Sequence, residues 1–114
     1  MANSLDWTDE LPVAITVVDT DGIIRAMNAR SKETFAADGG AALIGTSVYD
    51  CHPEAAQKQI ARTMQTREPN HYTIAKNGRR KIIHQIPWFQ GGTFAGLVEI
   101  SVPIPEEMPH FVRG

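Results

Sequence analysis

The pattern of apolar and polar positions divides the chain into five predicted strands. Residues 13–19 (VAITVVD) are rich in β-branched side chains, which favours a buried strand. The turn signal TDG at 20–22 predicts that residues 23–28 (IIRAMN) return beside it. Asn77-Gly78 and Gly91-Gly92 are typical hairpin turns. They separate the three further predicted strands, at 71–75, 79–90 and 93–104.

A helical period replaces the strand pattern between the second and third strands. Ala56, Ile60 and Met64 recur every fourth residue and therefore share one helical face. Pro53 suits the first turn of this helix, because the N–H that proline lacks has no helical partner there. We expect the helix to end near Thr66.

Shorter elements complete the predicted domain organisation. Residues 29–37 have helical composition and precede a break at Gly39-Gly40. Residues 1–12 are predicted to be an N-terminal flanking helix, 13–104 the domain and 105–114 a C-terminal tail. Pro87 cannot donate to a sheet ladder, so a bulge or an unpaired edge is expected near the end of its strand.

Composition and charge narrow the functional classes. The 114 residues suffice for one domain, and 42% of them are apolar. A net charge of −2 gives no electrostatic reason to expect nucleic acid or an anionic membrane as a partner. No apolar run approaches the ~20 residues of a membrane span, and the N-terminus lacks the grading of a signal peptide. With its single cysteine, the chain is predicted to be cytoplasmic.

One basic cluster stands out, around the predicted Asn77-Gly78 turn. Its members are Lys76, Arg79, Arg80 and Lys81. Such a cluster in a hairpin is more typical of a solubilising surface than of a phosphate site, so we interpret it in that way.

Two strands, short helices and three hairpin-linked strands indicate an α+β fold with an antiparallel sheet. The stretches LPVAITVVDTDGIIRAMN, LIGTSVYDCHPEAA and FAGLVEISVPI resemble a PAS domain, and the resemblance covers nearly all of residues 11–104. More specifically, the chain resembles the PAS modules at the C-terminus of hemerythrin-like bacterial proteins of unassigned function. The resemblance implies a five-stranded sheet in the order 2-1-5-4-3, with short helices on one face.

Three functions are hypotheses for this chain, and the first two follow from the resemblance. Many PAS domains hold a small ligand or cofactor between sheet and helices, which implies a sensory or regulatory module in signal transduction that works as a homodimer or through a signalling partner. Haem or another small molecule is a candidate cofactor. Other PAS domains bind no known ligand and serve in dimerisation or docking. A small enzyme is the weakest hypothesis, because no nucleophile, base and orienting residue occur together, and we predict no catalytic residues.

Cys51 and His52 are the first candidate ligand-binding residues. The exposed N–H groups at the start of the following helix would favour a thiolate on Cys51 and a neutral His52. The pair then suits a haem ligand or a redox sensor, although it is too small for a structural zinc site. In the structural alternative, Cys51 is a small buried filler and His52 caps the helix or bonds a nearby carbonyl.

His84 is the second candidate. It alternates onto one strand face with Ile82, Ile86 and Trp88. If this face meets the helices, these four residues line a pocket; if the other face does, they form an apolar patch for a partner. The complete candidate pocket is Cys51, His52, Ile60, Met64, Ile82, His84, Ile86 and Trp88, with no metal ligand among them.

Glu99 is unusual in so apolar a strand. It lies on the face of Leu97, opposite to Val98 and Ile100. The sequence leaves three roles open for it: pairing with a base such as Arg25, another polar contact, or a plain surface position.

Overall fold

Within residues 6–114, the part of the chain that the computed structural model describes, five antiparallel strands form one sheet. The strands are β1 (Ala14–Asp19), β2 (Ile24–Met27), β3 (Asn70–Lys76), β4 (Arg79–Gln90) and β5 (Thr93–Ile104). Their order is β2-β1-β5-β4-β3, which confirms the expected topology. The last strand therefore pairs with the first, and both lie inside the sheet.

The helices lie between β2 and β3 in the chain. They are α1 (Ala29–Thr34) and α2 (Glu54–Thr66), and α2 ends at the predicted residue. Single 3₁₀ turns at Ala36–Asp38, Gly40–Leu43 and Val48–Cys51 connect them. None of the helices within residues 6–114 has the length and hydropathy of a membrane span.

The core lies between these helices and one face of the sheet, which we call the inner face. Its buried members are Val18, Ile24, Met27, Val48, Ile60 and Leu97. Phe35, Leu43, Tyr49 and Met64 pack against them from the helices and turns. Ile60 is 1% exposed, and burying such a side chain contributes about 1.5–3 kcal/mol.

The inner and outer faces of the sheet are fixed by the burial of β4. Ile83 and Gln85 are buried on the inner face, while His84 between them points to the outer face. The register places Ile86 opposite Val98. The outer face is thus apolar and carries no helix of residues 6–114, whereas Leu97 and Glu99 point inward.

The segment before β1 differs from its prediction as a helix. Met1–Leu5 lie outside the described residues, and residues 7–10 form a turn with no helix in 6–12. The carboxylate of Asp6 accepts hydrogen bonds from the N–H (3.2 Å) and hydroxyl (2.7 Å) of Thr8. This side-chain bond stabilises a turn in competition with a helix, so the helix prediction is wrong for 6–12.

Asn28 fastens that segment to the domain. Its Nδ2 donates to the carbonyls of Thr8 and Val13, both at 2.8 Å. Its Oδ1 accepts from the N–H groups of Ile15 (2.9 Å) and Ser31 (3.0 Å), and the second bond caps α1. The predicted C-terminal tail, 105–114, is exposed and contains no helix or strand.

Candidate functional site

A small cavity lies between the helices and the inner face of the sheet. Its volume is about 20 Å³, which is room for about one water molecule. Cys51, His52 and Ile60 line it, as three of the eight candidate residues. Met64 packs against the neighbouring core but does not line the cavity.

A wider hollow, which we call the vestibule, adjoins this cavity and has a volume of about 240 Å³. Tyr72 and Ile74 of β3 and Lys81 and Ile83 of β4 form its sheet side. The cavity and the vestibule share four lining residues: Thr16, Phe35, His52 and Glu99. The two spaces therefore meet at this group of side chains.

Glu99 lies at that meeting point and has a polar contact. Its carboxylate accepts a hydrogen bond from Nε2 of Gln85 at 3.0 Å. In the described part of the chain, no basic side chain lies within 4 Å of it, and Arg25 pairs with Asp19 instead. Of the three roles that the sequence left open for Glu99, the structure therefore shows the polar contact. The carboxylate retains capacity to accept a further hydrogen bond.

Tyr72 contributes a hydroxyl to the vestibule. Burial raises the pKa of this phenol, and the negative charge of Glu99 raises the pKa further. The phenol therefore keeps its proton at neutral pH and can donate a hydrogen bond. The vestibule thus combines a carboxylate acceptor with a phenolic donor.

Cys51 and His52 are held by the same backbone carbonyl. Sγ of Cys51 donates to the oxygen of Val48 (3.3 Å), and Nδ1 of His52 lies 2.8 Å from that oxygen. Because a carbonyl only accepts, Nδ1 carries a proton, and a neutral ring then has Nε2 as its acceptor. His52 bonds a nearby carbonyl, as in the structural alternative.

The predicted thiolate of Cys51 is not supported. Burial raises the pKa of the thiol, and the negative charge of Glu99 adds to the increase. Cys51 belongs to its own 3₁₀ turn, and α2 begins three residues later at Glu54. The raised pKa favours the protonated thiol, which is less reactive than a thiolate.

The other candidates lie on the outer face and line neither hollow. They are Ile82, His84, Ile86 and Trp88. Nδ1 of His84 lies 2.8 Å from Nδ1 of His71, and the indole N–H of Trp88 donates to the Val18 carbonyl at 3.1 Å. Of the two orientations left open by the sequence, the structure has the one that forms an apolar patch.

Sequence reasoning did not select Thr16, Phe35 or Gln85. Thr16 and Gln85 are polar residues at buried positions, in strands whose side chains alternate between the two faces of the sheet. A polar residue on a face that is otherwise buried is the signal that could have identified them. Phe35 carried no comparable signal, because it lies in the turn after α1.

The candidate residues do not form a binding site for a metal ion or a haem. In residues 6–114, no group of three or more His, Cys, Asp and Glu side chains is arranged to hold a metal ion. A haem does not fit the inner cavity, which holds about one water molecule. His84, its predicted strand ligand, lies on the opposite side of the sheet.

Solved structures share this fold at low sequence identity. The PAS domain of histidine kinase ThkA is 19% identical with a TM-score of 0.66, over 79% of this chain and 97% of that one. A sensory box sensor histidine kinase from Vibrio cholerae is 16% identical with a TM-score of 0.64, over 87% and 86%. The Aer2 receptor from Vibrio cholerae, described as a dual PAS-heme oxygen sensor, is 18% identical with a TM-score of 0.61, over 82% and 95%.

Family membership follows from a match over most of the sequence. No curated protein matches the chain. Residues 8–107, however, match the family described as the PAS fold. This range includes all five strands and both helices, and the strand order agrees with the resemblance found in the sequence. The chain therefore belongs to the PAS fold family.

Proposed function

We propose that this PAS domain is a non-catalytic sensory or regulatory module in signal transduction. It binds a small ligand in the vestibule and acts through dimerisation or contacts with a signalling partner. The related folds in histidine kinases and in the Aer2 receptor support a signalling role. The setting beside a hemerythrin-like region and the cytoplasmic location stay predictions from the sequence.

The single observation that carries this proposal is the position of Glu99. Glu99 lines both the cavity and the vestibule, and its carboxylate has no basic partner within 4 Å in residues 6–114. A ligand that brings an N–H or O–H group to this carboxylate would gain a charge-assisted hydrogen bond. At about 240 Å³ the vestibule is close to the ~300 Å³ lower limit of typical ligand pockets, which favours a small ligand.

A ligand bound in the vestibule would contact both the sheet and the segment after α1. Tyr72 and Ile83 belong to the sheet, whereas Phe35 and Asp38 belong to the segment after α1. A ligand that contacts both sides would stabilise one packing of this segment on the sheet over another. A partner that contacts the sheet or the segment would then detect the change.

A substitution inside the vestibule tests this proposal. Ile74 lies on the inner face of β3, and its neighbour Thr73 lies on the outer face; both are exposed. Ile74→Trp should fill the vestibule, and Thr73→Trp is the matched control. Native mass spectrometry of the purified protein should show a bound small molecule in the wild type and in Thr73→Trp, with loss in Ile74→Trp.

Two results would contradict ligand binding in the vestibule. The first is that the purified protein carries no ligand and that no compound of a metabolite library raises its melting temperature. The other is a ligand that Ile74→Trp retains as well as the wild type does.

A ligand-free dimerisation module is the second candidate, favoured by the outer face of the sheet. Ile15, Ile82, Ile86, Val98 and Ile100 are half-buried there and meet across three neighbouring strands. A second copy of the chain presents the same apolar patch, so the two patches match each other in a twofold dimer. Ile100→Lys should convert a dimer to a monomer in analytical ultracentrifugation, and Ile44→Lys, at an exposed turn position, should not. A wild-type monomer would exclude this candidate.

A further inference from the structure

A second groove of about 210 Å³ lies beside the vestibule and is strongly basic. Arg30 of α1 and Arg79, Arg80 and Lys81 of β4 line it, together with the hydroxyl residues Thr34 and Ser101. No aspartate or glutamate is among the residues of the described chain that line it. We call this the basic groove.

Within residues 6–114 the cations of the basic groove form no ion pair, and Glu106 lines a neighbouring hollow together with Arg79 and Arg80. The ion pairs within residues 6–114 are Arg25–Asp19 and Lys58–Glu54, and neither involves the groove. The whole chain nevertheless has a net charge of −2. Arg79 and Lys81 point to the inner face of the sheet with Ile83, whereas Arg80 points to the outer face with Ile82. The cations that line the groove from the inner side raise the local positive potential and so attract an anion.

Tertiary structure changes the interpretation of the basic cluster at 76–81. The sequence alone favoured a solubilising hairpin. Folding brings Arg30, which lies in α1 far from β4 in the chain, to the same groove as Arg79 and Lys81. Arginine presents a planar fork of N–H donors that matches the paired oxygens of phosphate and of carboxylate, and a cluster of cations favours the more highly charged phosphate.

The basic groove and the vestibule are adjacent. Four residues line both: Ala14, Thr34, Lys81 and Ser101. One molecule of modest size can therefore lie across the two, with its charged groups among the arginines and its uncharged part against Tyr72 and Ile74.

We propose that the basic groove binds the phosphate groups of a small organic phosphate whose uncharged part occupies the vestibule. This deepens the proposed function, because it names the chemical class of the ligand. A short concave groove that leads into a partly apolar hollow suits a small molecule. A nucleic acid, in contrast, needs a basic surface that follows an extended backbone.

Isothermal titration at low salt with three probes tests each part of this proposal. ADP carries both a diphosphate and a ring system, pyrophosphate carries only the charge, and adenosine carries only the rings and sugar. ADP should bind more tightly than either of the others, and its affinity should fall as salt is added. The absence of ADP and pyrophosphate binding would overturn the proposal. Equal affinity for ADP and pyrophosphate would overturn the extension into the vestibule.

Paired variants locate the binding. The double variant Arg30→Gln/Arg79→Gln should weaken ADP and pyrophosphate binding at least about tenfold, because charged hydrogen bonds are lost. Lys58→Gln/Arg62→Gln, which removes the same charge from exposed positions of α2, is the control and should leave both affinities unchanged. Equal losses in the two double variants would show a general charge effect and would overturn the site.

The vestibule variant separates this inference from the proposed function. Ile74→Trp should weaken ADP binding and leave pyrophosphate binding intact, since Ile74 lines only the vestibule. A vestibule ligand that carries no phosphate, together with no pyrophosphate binding, would overturn the basic groove and leave the sensory proposal standing. A short DNA duplex that competes with ADP at equal affinity would contradict a site for small molecules.

Discussion

Gln85 and Glu99 are hydrogen-bonded side by side on the inner face of the sheet, with Nε2 of Gln85 3.0 Å from the carboxylate. Gln85 is 2% exposed, and its Oε1 accepts from Nδ2 of Asn70 at 2.9 Å. The three side chains therefore connect β3, β4 and β5 on the inner face of the sheet. This link both orients the carboxylate and satisfies an amide that is cut off from water.

Loss of this link should destabilise the domain. Gln85→Leu keeps a similar volume but leaves Asn70 and Glu99 without their partner, so we expect a loss of about 1–3 kcal/mol in the free energy of unfolding. Urea denaturation measures it. Gln65→Leu on the exposed side of α2 is the control and should change stability by less than about 0.5 kcal/mol. Similar values for the two variants would contradict the role of the link.

Asn28 should contribute to stability as both a cap and a tether. Asn28→Ala removes two donated and two accepted hydrogen bonds at a buried position, which should cost about 2–3 kcal/mol. Asn28→Asp keeps the two acceptor contacts but places a carboxylate oxygen against the carbonyl oxygens of Thr8 and Val13, so its loss should be at least as large. Urea denaturation ranks the variants, and an alanine variant as stable as the wild type would contradict this assignment.

Gly96 should tolerate no side chain. A Cβ there would lie 1.9 Å from the carbonyl oxygen of Val18, the atom that accepts the indole N–H of Trp88. Gly96→Ala should therefore lower stability by about 3 kcal/mol or more and shift the Trp88 indole resonance in NMR spectra. Gly92→Ala is the control, because it also has a positive φ but has no atom within 4 Å of the new Cβ. Its loss should be about 1–2 kcal/mol. Equal losses in the two variants would show that backbone strain, and not the clash, explains the effect.

Cys51 should react slowly with thiol reagents. Burial raises the pKa of the thiol in the folded protein, so the reactive thiolate forms only at a higher pH than in the unfolded chain. Below the unfolded pKa the thiol contributes its full stability, and that contribution is lost as pH rises through the folded pKa. The rate of iodoacetamide alkylation against pH should show a higher midpoint when folded than in urea. A lower folded midpoint would restore the redox-sensor hypothesis.

Local turn chemistry was predictable because it depends on adjacent residues alone. Asn77 and Gly78 have φ values of 54° and 75°, the positive values that a tight two-residue hairpin requires. The bulge expected near Pro87 occurs between Trp88 and Phe89. The predicted N-terminal helix is wrong over residues 6–12 for a local reason, because the Asp6 side chain hydrogen-bonds the backbone two residues later and so favours a turn.

The candidate site was predicted only in part, because strand alternation separates two faces without saying which one is covered. Cys51, His52 and Ile60 line the cavity, whereas the His84 group lies on the opposite side of the sheet. Which face of the sheet is covered depends on where α2 packs. The contact between α2 and the sheet joins segments that are distant in the chain. The raised pKa of Cys51 also comes mainly from burial, which is a property of the folded protein.

The sequence by itself determined the five strands, the hairpins between them and the extent of α2, because these follow from side-chain period and from the backbone preferences of glycine, proline and asparagine. Only the tertiary structure decided that Glu99 faces a vestibule and that Arg30 joins Arg79 in a basic groove. Both depend on contacts between residues far apart in the chain, and such contacts form when burial of the core fixes one packing of helices on the sheet.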